Sequence, residues 1–189
     1  MDNLSLRYES YMEGQEKAIS DMIWDVFCEF EAPDYSEGGT KIFKEFINPQ
    51  RLANEIRCND YKVFCCLEDD ALVGVLALRN LTHISLLFVK KSHHKRGIAK
   101  ELLRLAIEYI LKVNPDVQEI TVNSSPYAVE IYNKLEFIAT DDMLEKDGIL
   151  FKLMKNYSKS TAMCSFVQLL TWLLYYTDIL EICHVDSVN

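Results

Sequence analysis

The chain has 189 residues, of which 49% are hydrophobic and 26% charged. This length can bury one sizeable core, and a content of six glycines and four prolines excludes collagen-like and low-complexity architectures. Acidic residues outnumber basic ones by 29 to 20, for a net charge of -9. Proteins that bind nucleic acid by neutralising its phosphates usually carry an excess of bases, so we expect no nucleic-acid partner.

The N-terminus has neither the basic run nor the apolar run of a signal peptide, so we expect none. The six cysteines form no C-x-x-C pair and have no histidine at the spacing of a metal site. They lie at positions 28, 58, 65, 66, 164 and 183. This pattern predicts reduced thiols in a cytoplasmic protein that binds no metal.

The first 60 residues predict one strand followed by helices. Residues 4–8 alternate as a short strand would, and apolar side chains recur at helical spacing over about 14–31. The Ala-Pro-Asp run at 32–34 ends this helix. Thr40 is the expected N-cap of a second helix, which Pro49 interrupts before a further turn or two.

The next hundred residues predict a sheet whose strands are joined by turns and helices. The expected strands are 61–67, 71–78, 83–89, 119–122, 137–139 and 149–154, and the expected helices are 97–112 and 126–135. An acidic hairpin turn follows the first of these strands, and Asp147-Gly148 forms the turn before the last. The predicted order βααβββαβαββ indicates an α/β fold.

The C-terminal segment 158–189 differs in character from the domain 1–157. Eighteen uncharged residues run from Ser160 to Thr177, a length that would permit a membrane span. Polar residues interrupt this run, however, and acidic residues follow it at once. We predict a helix packed on the domain or on a second subunit of a homodimer. A membrane anchor and a poorly ordered tail are the alternatives.

The segment 88–100 carries the most specific chemical signal. A buried strand ends there, a basic turn follows, and Gly97 begins a strong helix whose free N–H groups are suited to phosphate. Gly97 and Ala99 are small, so a pyrophosphate can approach the backbone closely. Between positions 90 and 104 lie six bases and one acid, although the whole chain is acidic. This reversal predicts a site for a specific anion, with a solvated basic turn as the alternative.

Two motifs resemble the signatures of one known superfamily. The run 94–99, His-Lys-Arg-Gly-Ile-Ala, is similar to a pyrophosphate loop that reads Gln/Arg-x-x-Gly-x-Gly/Ala. Ala128, Tyr132 and Phe137 have the spacing of a second signature, Asn-x-x-Ala-x-x-x-Tyr-x-x-x-Gly-Phe, in which a serine and a glutamate replace the Asn and the Gly. Both resemble the Gcn5-related N-acetyltransferase (GNAT) superfamily, in particular an uncharacterised bacterial branch.

The resemblance implies a fold and a cofactor site. GNAT proteins have a mixed, mostly antiparallel sheet flanked by helices, in which two adjacent parallel strands, here about 84–89 and 119–122, splay apart and admit acetyl-CoA. The first strand would pair with the pantetheine arm, and the loop would bind the pyrophosphate. The residues expected to bind the cofactor are Leu87, Phe88, Val89, His94, Lys95, Arg96, Gly97, Ile98, Ala99, Lys100, Asn123 and Ser125.

The resemblance also implies direct attack of an amine on the thioester, without an acyl-enzyme. Tyr132 matches the family's general acid, since a phenol with a pKa of about 10 can donate a proton to the departing thiolate. Tyr127 is the alternative. His83, at the start of the central strand, is the expected base. Glu31, Glu37 and a chain of water molecules are alternatives.

In this family the loop between the first two helices commonly forms a wall of the acceptor pocket. Phe27, Phe30 and Tyr35 are expected to line it, and Glu31 would favour a cationic amine unless it belongs to a solvated loop. The implied activity is transfer of an acetyl group from acetyl-CoA to a primary amine of a small molecule or a peptide. The alternatives are a CoA-binding regulatory module without transfer activity and a structural protein that dimerises through its tail.

Overall fold

A mixed sheet with helices on both faces forms the described part of the chain. The computed structural model describes residues 5–58 and 61–157. Its strands are β1 (Arg7–Ser10), β2 (Tyr61–Glu68), β3 (Ala71–Arg79), β4 (His83–Val89), β5 (Glu119–Ser124), β6 (Ile138–Lys146) and β7 (Ile149–Tyr157). Its α-helices are α1 (Glu16–Phe30), α2 (Glu37–Phe46), α3 (Pro49–Arg57), α4 (Ile98–Val113) and α5 (Val129–Lys134). The predicted fold class is confirmed.

The strand order opens a cleft in the middle of the sheet. The seven strands lie in the order β1-β2-β3-β4-β5-β7-β6, and all neighbours are antiparallel except β4 and β5. In that parallel pair His83 lies opposite Thr121 and Ile84 opposite Val122, and pairing stops there although both strands continue. Beyond Ile84, therefore, this edge of β4 has no partner strand among the described residues.

A β-bulge at Ser85 decides which side chains of β4 face which side of the sheet. Ala77 of β3 pairs with Leu86 and Leu78 pairs with Ile84, so the register skips Ser85. As a result, Ile84 joins the core under α4, whereas Leu86 and the next alternate residue join the core under α1 and α2. A bulge of this kind bends and twists its strand, which suits a strand that leaves its neighbour.

Two apolar cores hold the helices on the sheet. Helix α4 buries one side of its apolar surface, namely Ile98, Leu102, Leu103, Ala106, Ile107 and Ile110. On the other face, Phe27 of α1 is fully buried and stacks on Phe43 of α2, with ring centroids 4.2 Å apart. Burial of each such side chain stabilises the fold by roughly 1.5–3 kcal/mol.

Three local expectations were wrong. Helix α2 begins at Glu37 because Ser36, and not Thr40, is its N-cap: the Ser36 hydroxyl oxygen accepts from the Gly39 N–H at 3.0 Å. Strand β1 lies at Arg7–Ser10 instead of 4–8. Strand β6 continues to Lys146 instead of ending at 139, because it pairs along the edge of the sheet with every residue exposed and so shows no apolar alternation.

The predicted C-terminal helix at 158–189 lies outside the described residues, and so do its proposed roles in a dimer or at a membrane. Within 5–58 and 61–157, no helix is both long and apolar enough to cross a membrane.

Candidate active site

A cavity of about 420 Å³ lies where β4 and β5 diverge. Its wall is built by the end of β4, the loop and first turn of α4, the end of α1, and the segment around α5. The predicted cofactor residues that line it are Leu87, Phe88, Val89, His94, Lys95, Gly97, Ile98, Ala99 and Lys100. The strand and the loop singled out in the sequence thus meet around one cavity.

The loop between β4 and α4 presents a run of free amide groups. Lys95 and Gly97 adopt left-handed backbone conformations, with φ angles of 64° and 76°. None of the N–H groups of residues 95–100 donates to a backbone carbonyl of the described chain, and the first helical bond runs from Glu101 N–H to the Gly97 oxygen at 3.0 Å. A Cβ added at Gly97 would meet no atom within 4 Å. Free amides at a helix N-terminus with open space above them form a binding site for an anion.

His94, which occupies the unusual first position of the loop motif, anchors the loop from inside. Its Nε2 donates to the Val89 carbonyl oxygen at 2.8 Å, and its ring packs on Phe30 with centroids 5.3 Å apart. The histidine therefore ties the loop to the end of β4 and to the end of α1.

Glu68, at the end of β2, is a residue of this site that the sequence reasoning missed. One carboxylate oxygen accepts from Arg96 Nη2 at 2.6 Å, and the other lies 2.8 Å from His93 Nε2. The hydrogen bond from Arg96, followed by that from His93, lowers the pKa of Glu68. These partners are 28 and 25 residues away in sequence. In the sequence Glu68 is one acid of a hairpin turn, so no spacing pattern indicates its role.

Two tyrosines line the cavity in different settings. Tyr132 is 5% exposed and packs edge-on against Phe137, whereas Tyr127 is 39% exposed and stacks on Phe30 at a centroid distance of 4.8 Å. Burial, reinforced by the nearby Glu31 carboxyl, raises the pKa of Tyr132 well above its usual value. Tyr132 is protonated at neutral pH, as an ordinary phenol is, and the raised pKa makes it a weaker acid than a solvated tyrosine.

Glu31, just after α1, brings a carboxyl group to the cavity wall. Burial raises its pKa to about 7, and Asp34 adds to the rise. The Ser125 hydroxyl partly offsets this rise, although it completes no regular hydrogen bond within the described residues. The charge of Glu31 in turn raises the pKa values of Tyr127 and Tyr132, which line the same cavity. Such a group is partly ionised at neutral pH and can accept a proton.

The end of the α1–α2 loop is held by the distant turn between β6 and β7. Ser36 N–H donates to the Gly148 oxygen at 3.0 Å. A Cβ added at Gly39 would lie 2.4 Å from that oxygen, and one added at Gly148, where φ is 76°, would lie 1.9 Å from the Ser36 hydroxyl. The two segments touch so closely that glycine is required on both sides.

Several predicted site residues lie elsewhere. His83 is at the paired end of β4, with its Nδ1 2.8 Å from the Thr121 hydroxyl oxygen. Burial, together with Arg79, lowers the pKa of His83 to about 4. Phe27 lies in the core, and Tyr35 packs edge-on against it at 5.0 Å. Of the predicted acceptor-side residues, Phe30 and Glu31 line the described cavity wall. The predicted site residues that do not line it are His83, Phe27, Tyr35, Arg96, Asn123 and Ser125.

A family model described as "Acetyltransferase (GNAT) domain" matches residues 31–158, which is more than half of the chain. The chain belongs to the GNAT family. The resemblance found in its two motifs is therefore confirmed at the level of the superfamily. None of the curated proteins matches the chain significantly.

Solved GNAT structures have the same fold at low identity. A GCN5-related N-acetyltransferase from Rhodopseudomonas palustris is 19% identical with a TM-score of 0.66, covering 84% of this chain and 98% of that one. A PaiA N-acetyltransferase from Thermoplasma acidophilum, solved with coenzyme A, is 20% identical with a TM-score of 0.68, covering 82% and 99%. A spermidine N-acetyltransferase from Vibrio cholerae, solved with CoA and spermine, is 15% identical with a TM-score of 0.56, covering 84% and 98%.

Proposed function

We propose that this GNAT protein transfers an acetyl group from acetyl-CoA to a primary amine of a small molecule or a peptide. The observation that carries the proposal is the run of free amides at residues 95–100, which borders the same cavity as the unpaired edge of β4. The amides suit the pyrophosphate of CoA, and the strand edge suits the extended pantetheine arm. Coenzyme A in two of the solved neighbours supports this choice of ligand.

The proposed reaction is a direct displacement. The amine nitrogen forms a bond to the thioester carbon, the carbon–sulfur bond breaks, and the electron pair leaves on sulfur. Glu31 accepts the proton that the amine loses, and Tyr132 donates a proton to the thiolate of CoA. The raised pKa of Glu31, about 7, suits a base that works at neutral pH. Tyr132 lines the same cavity and, as a phenol, carries a proton at that pH.

We prefer Glu31 to His83 as the base on grounds of position. Glu31 lines the cavity together with Tyr132, whereas His83 lies at the closed end of the cleft and is hydrogen-bonded to Thr121. The burial that lowers the pKa of His83 to about 4 also makes it a weak base. The role of His83 stays a prediction, with less support than that of Glu31.

The charge of the acceptor side favours an amine that arrives as a cation. Glu31 and Asp34 are acidic, and Phe30 and Tyr127 offer aromatic faces next to them. Ammonium groups are attracted to carboxylates and to aromatic faces alike. Spermine in the structure of one solved neighbour is an amine of this chemical class.

Coenzyme A binding tests the proposal. CoA should raise the melting temperature of the unaltered protein, because a ligand that binds the folded state alone stabilises it. Gly97→Glu puts a carboxylate into the open space above the amides and should abolish that rise. Gly14→Glu is the matched control, since Gly14 also has a positive φ, 97°, with no atom within 4 Å of an added Cβ, and it precedes the far end of α1.

Two results would contradict the proposal. If CoA stabilised Gly97→Glu as much as Gly14→Glu, the cofactor would not lie on this loop. If CoA failed to stabilise the unaltered protein at millimolar concentration, the chain would not be a CoA-dependent enzyme.

A further inference from the structure

Glu68 joins two residues that lie on either side of the left-handed turn at Lys95. Its two oxygens contact Arg96 and His93, and the Ser92 hydroxyl oxygen lies 2.8 Å from the other ring nitrogen of His93. The side chains of His93 and Glu68 are 12% and 15% exposed, and that of Arg96 is 39% exposed. The end of β2 is thereby fastened to the anion-binding loop.

Charge alone makes Glu68 an unfavourable neighbour for a phosphate. A carboxylate next to the loop repels the phosphates of CoA, and it also occupies Arg96, one of the bases of the motif. If Glu68 acted through its charge only, its removal would strengthen CoA binding.

The geometry of the loop gives Glu68 a different effect. The amides of residues 95–100 have no carbonyl partners in the described chain, so backbone hydrogen bonds hold this segment only on its helical side, where the Gly97 oxygen accepts from Glu101 N–H. Lys95 has a φ of 64°, a left-handed conformation that is unfavourable for a residue with a Cβ. Side-chain contacts therefore help to hold the loop: His94 bonds to Val89, and Lys91 pairs with Glu29 of α1. Glu68 contacts both His93 and Arg96.

We propose that Glu68 is a positioning residue that holds the loop with the amides of residues 95–100 facing the cavity. It acts through His93 and Arg96 and does not touch the cofactor. This inference rests on the proposed function. It makes Glu68 important for CoA affinity and unimportant for the transfer step, because Glu68 has no contact with Glu31 or Tyr132.

Three variants separate positioning from charge. Glu68→Ala removes both contacts. Glu68→Gln also removes the charge, but its amide oxygen can still accept a hydrogen bond from Arg96. Its amide N–H can donate to the Nε2 atom of His93 when that ring adopts the other neutral tautomer. Asp69→Asn removes the same charge from the neighbouring, exposed position of the turn.

The dissociation constant of CoA, measured by titration calorimetry, should rank these variants. Glu68→Ala should bind CoA roughly tenfold more weakly, since two charge-assisted contacts are lost, and Glu68→Gln should recover most of that loss. Asp69→Asn should bind as tightly as the unaltered protein, or slightly more tightly. With an amine acceptor, Glu68→Ala should raise the KM for acetyl-CoA by a similar factor and leave kcat unchanged.

Tighter binding of CoA by both Glu68→Ala and Glu68→Gln would overturn the inference, because that is the result of charge alone. A fall in kcat at constant KM would overturn it too. Normal CoA binding by Glu68→Ala would overturn this inference alone, whereas no binding by the unaltered protein would overturn the proposed function with it. If Glu68→Ala fails to fold, the other two variants decide. A weaker affinity for CoA in Glu68→Gln than in Asp69→Asn supports the inference, and the reverse order overturns it.

Discussion

Tyr132 and Tyr127 lie five residues apart in one short segment, and their surroundings give them different chemistry. Tyr132 is buried and lines the cavity. Its hydroxyl is the polar group of that side chain. Tyr127 lies at the surface and contributes a stacking face to Phe30. A general acid needs the first environment, since a fixed donor next to the leaving group contributes more than a mobile one.

Tyr132→Phe tests this assignment. The change removes one oxygen and keeps the packed ring, so affinity for acetyl-CoA should barely change. kcat should fall by about 10²-fold, the lower end of the usual range for acid–base assistance, because a CoA thiolate is already a fair leaving group. Steady-state kinetics with an amine found by substrate screening would measure both quantities.

Tyr127→Phe is the control for that experiment and should be close to neutral. A damaging Tyr127→Phe combined with a silent Tyr132→Phe would exchange the two roles. Retention of full activity by both variants would remove the phenol from the mechanism.

At the scale of secondary-structure elements, the end of α5 explains why the family motif has a glycine where this chain has Glu136. The Phe137 N–H donates to the Tyr132 oxygen at 3.0 Å and the Glu136 N–H to the Asn133 oxygen at 3.1 Å. This pattern closes a helix with a left-handed residue, and Glu136 has a φ of 64°. The position thus imposes on glutamate a conformation that glycine adopts without cost.

Glu136→Gly should therefore stabilise the protein. Relief of the left-handed strain, less the greater flexibility of glycine in the unfolded chain, should amount to about 0.5–1 kcal/mol in urea unfolding. Glu130→Gly, the same chemical change at an exposed position inside α5, should destabilise by about 1 kcal/mol. Equal destabilisation by both variants would show that the end of α5 carries no strain.

Periodicity and motif spacing predicted the elements that carry the cofactor site, but not the contacts between them. Strand β4 matches its predicted range, and α4 begins one residue after the predicted start, because both are buried and strongly patterned. The function of Glu68 depends on partners brought close by folding, so it could not be found locally. The position of His83 relative to the cleft depends on where β4 and β5 separate, and no local sequence pattern indicates that point.

For the molecule as a whole, two half-buried groups make the pH dependence of stability unusual. Burial raises the pKa of Glu31 from 4.5 to about 7. Its contribution to the free energy of unfolding is therefore complete below pH 4.5 and is lost as pH rises through about 7. Burial lowers the pKa of His83 from 6.5 to about 4. Its contribution to the free energy of unfolding is therefore complete above pH 6.5 and is lost as pH falls through about 4. Between pH 4.5 and 6.5 the two effects oppose each other.

Single substitutions should reveal each half of this balance. In His83→Asn the free energy of unfolding should decrease as pH rises from 4.5 to 7, because Glu31 alone remains. In Glu31→Gln it should increase from pH 4 to 6.5, because His83 alone remains. Urea unfolding at a series of pH values measures both free energies. If the plots of unfolding free energy against pH for the two variants ran parallel to that of the unaltered protein, these two groups would not determine the pH dependence. The other shifted carboxyls of the described residues, Glu16 and Glu68, have lowered pKa values and are unchanged in both variants, so their contribution is common to all the curves compared.

The contact between Gly39 and Gly148 also bears on how the protein can be engineered. Hairpin tips are ordinarily the places where a chain accepts inserted residues, fusion partners or new termini. The tip formed by Asp147 and Gly148 is different, because the Gly148 carbonyl packs against the first turn of α2. A tag or a permuted terminus placed there would break the contact with Ser36 and Gly39, so this hairpin is a poor site for insertion although it lies far along the chain from α2.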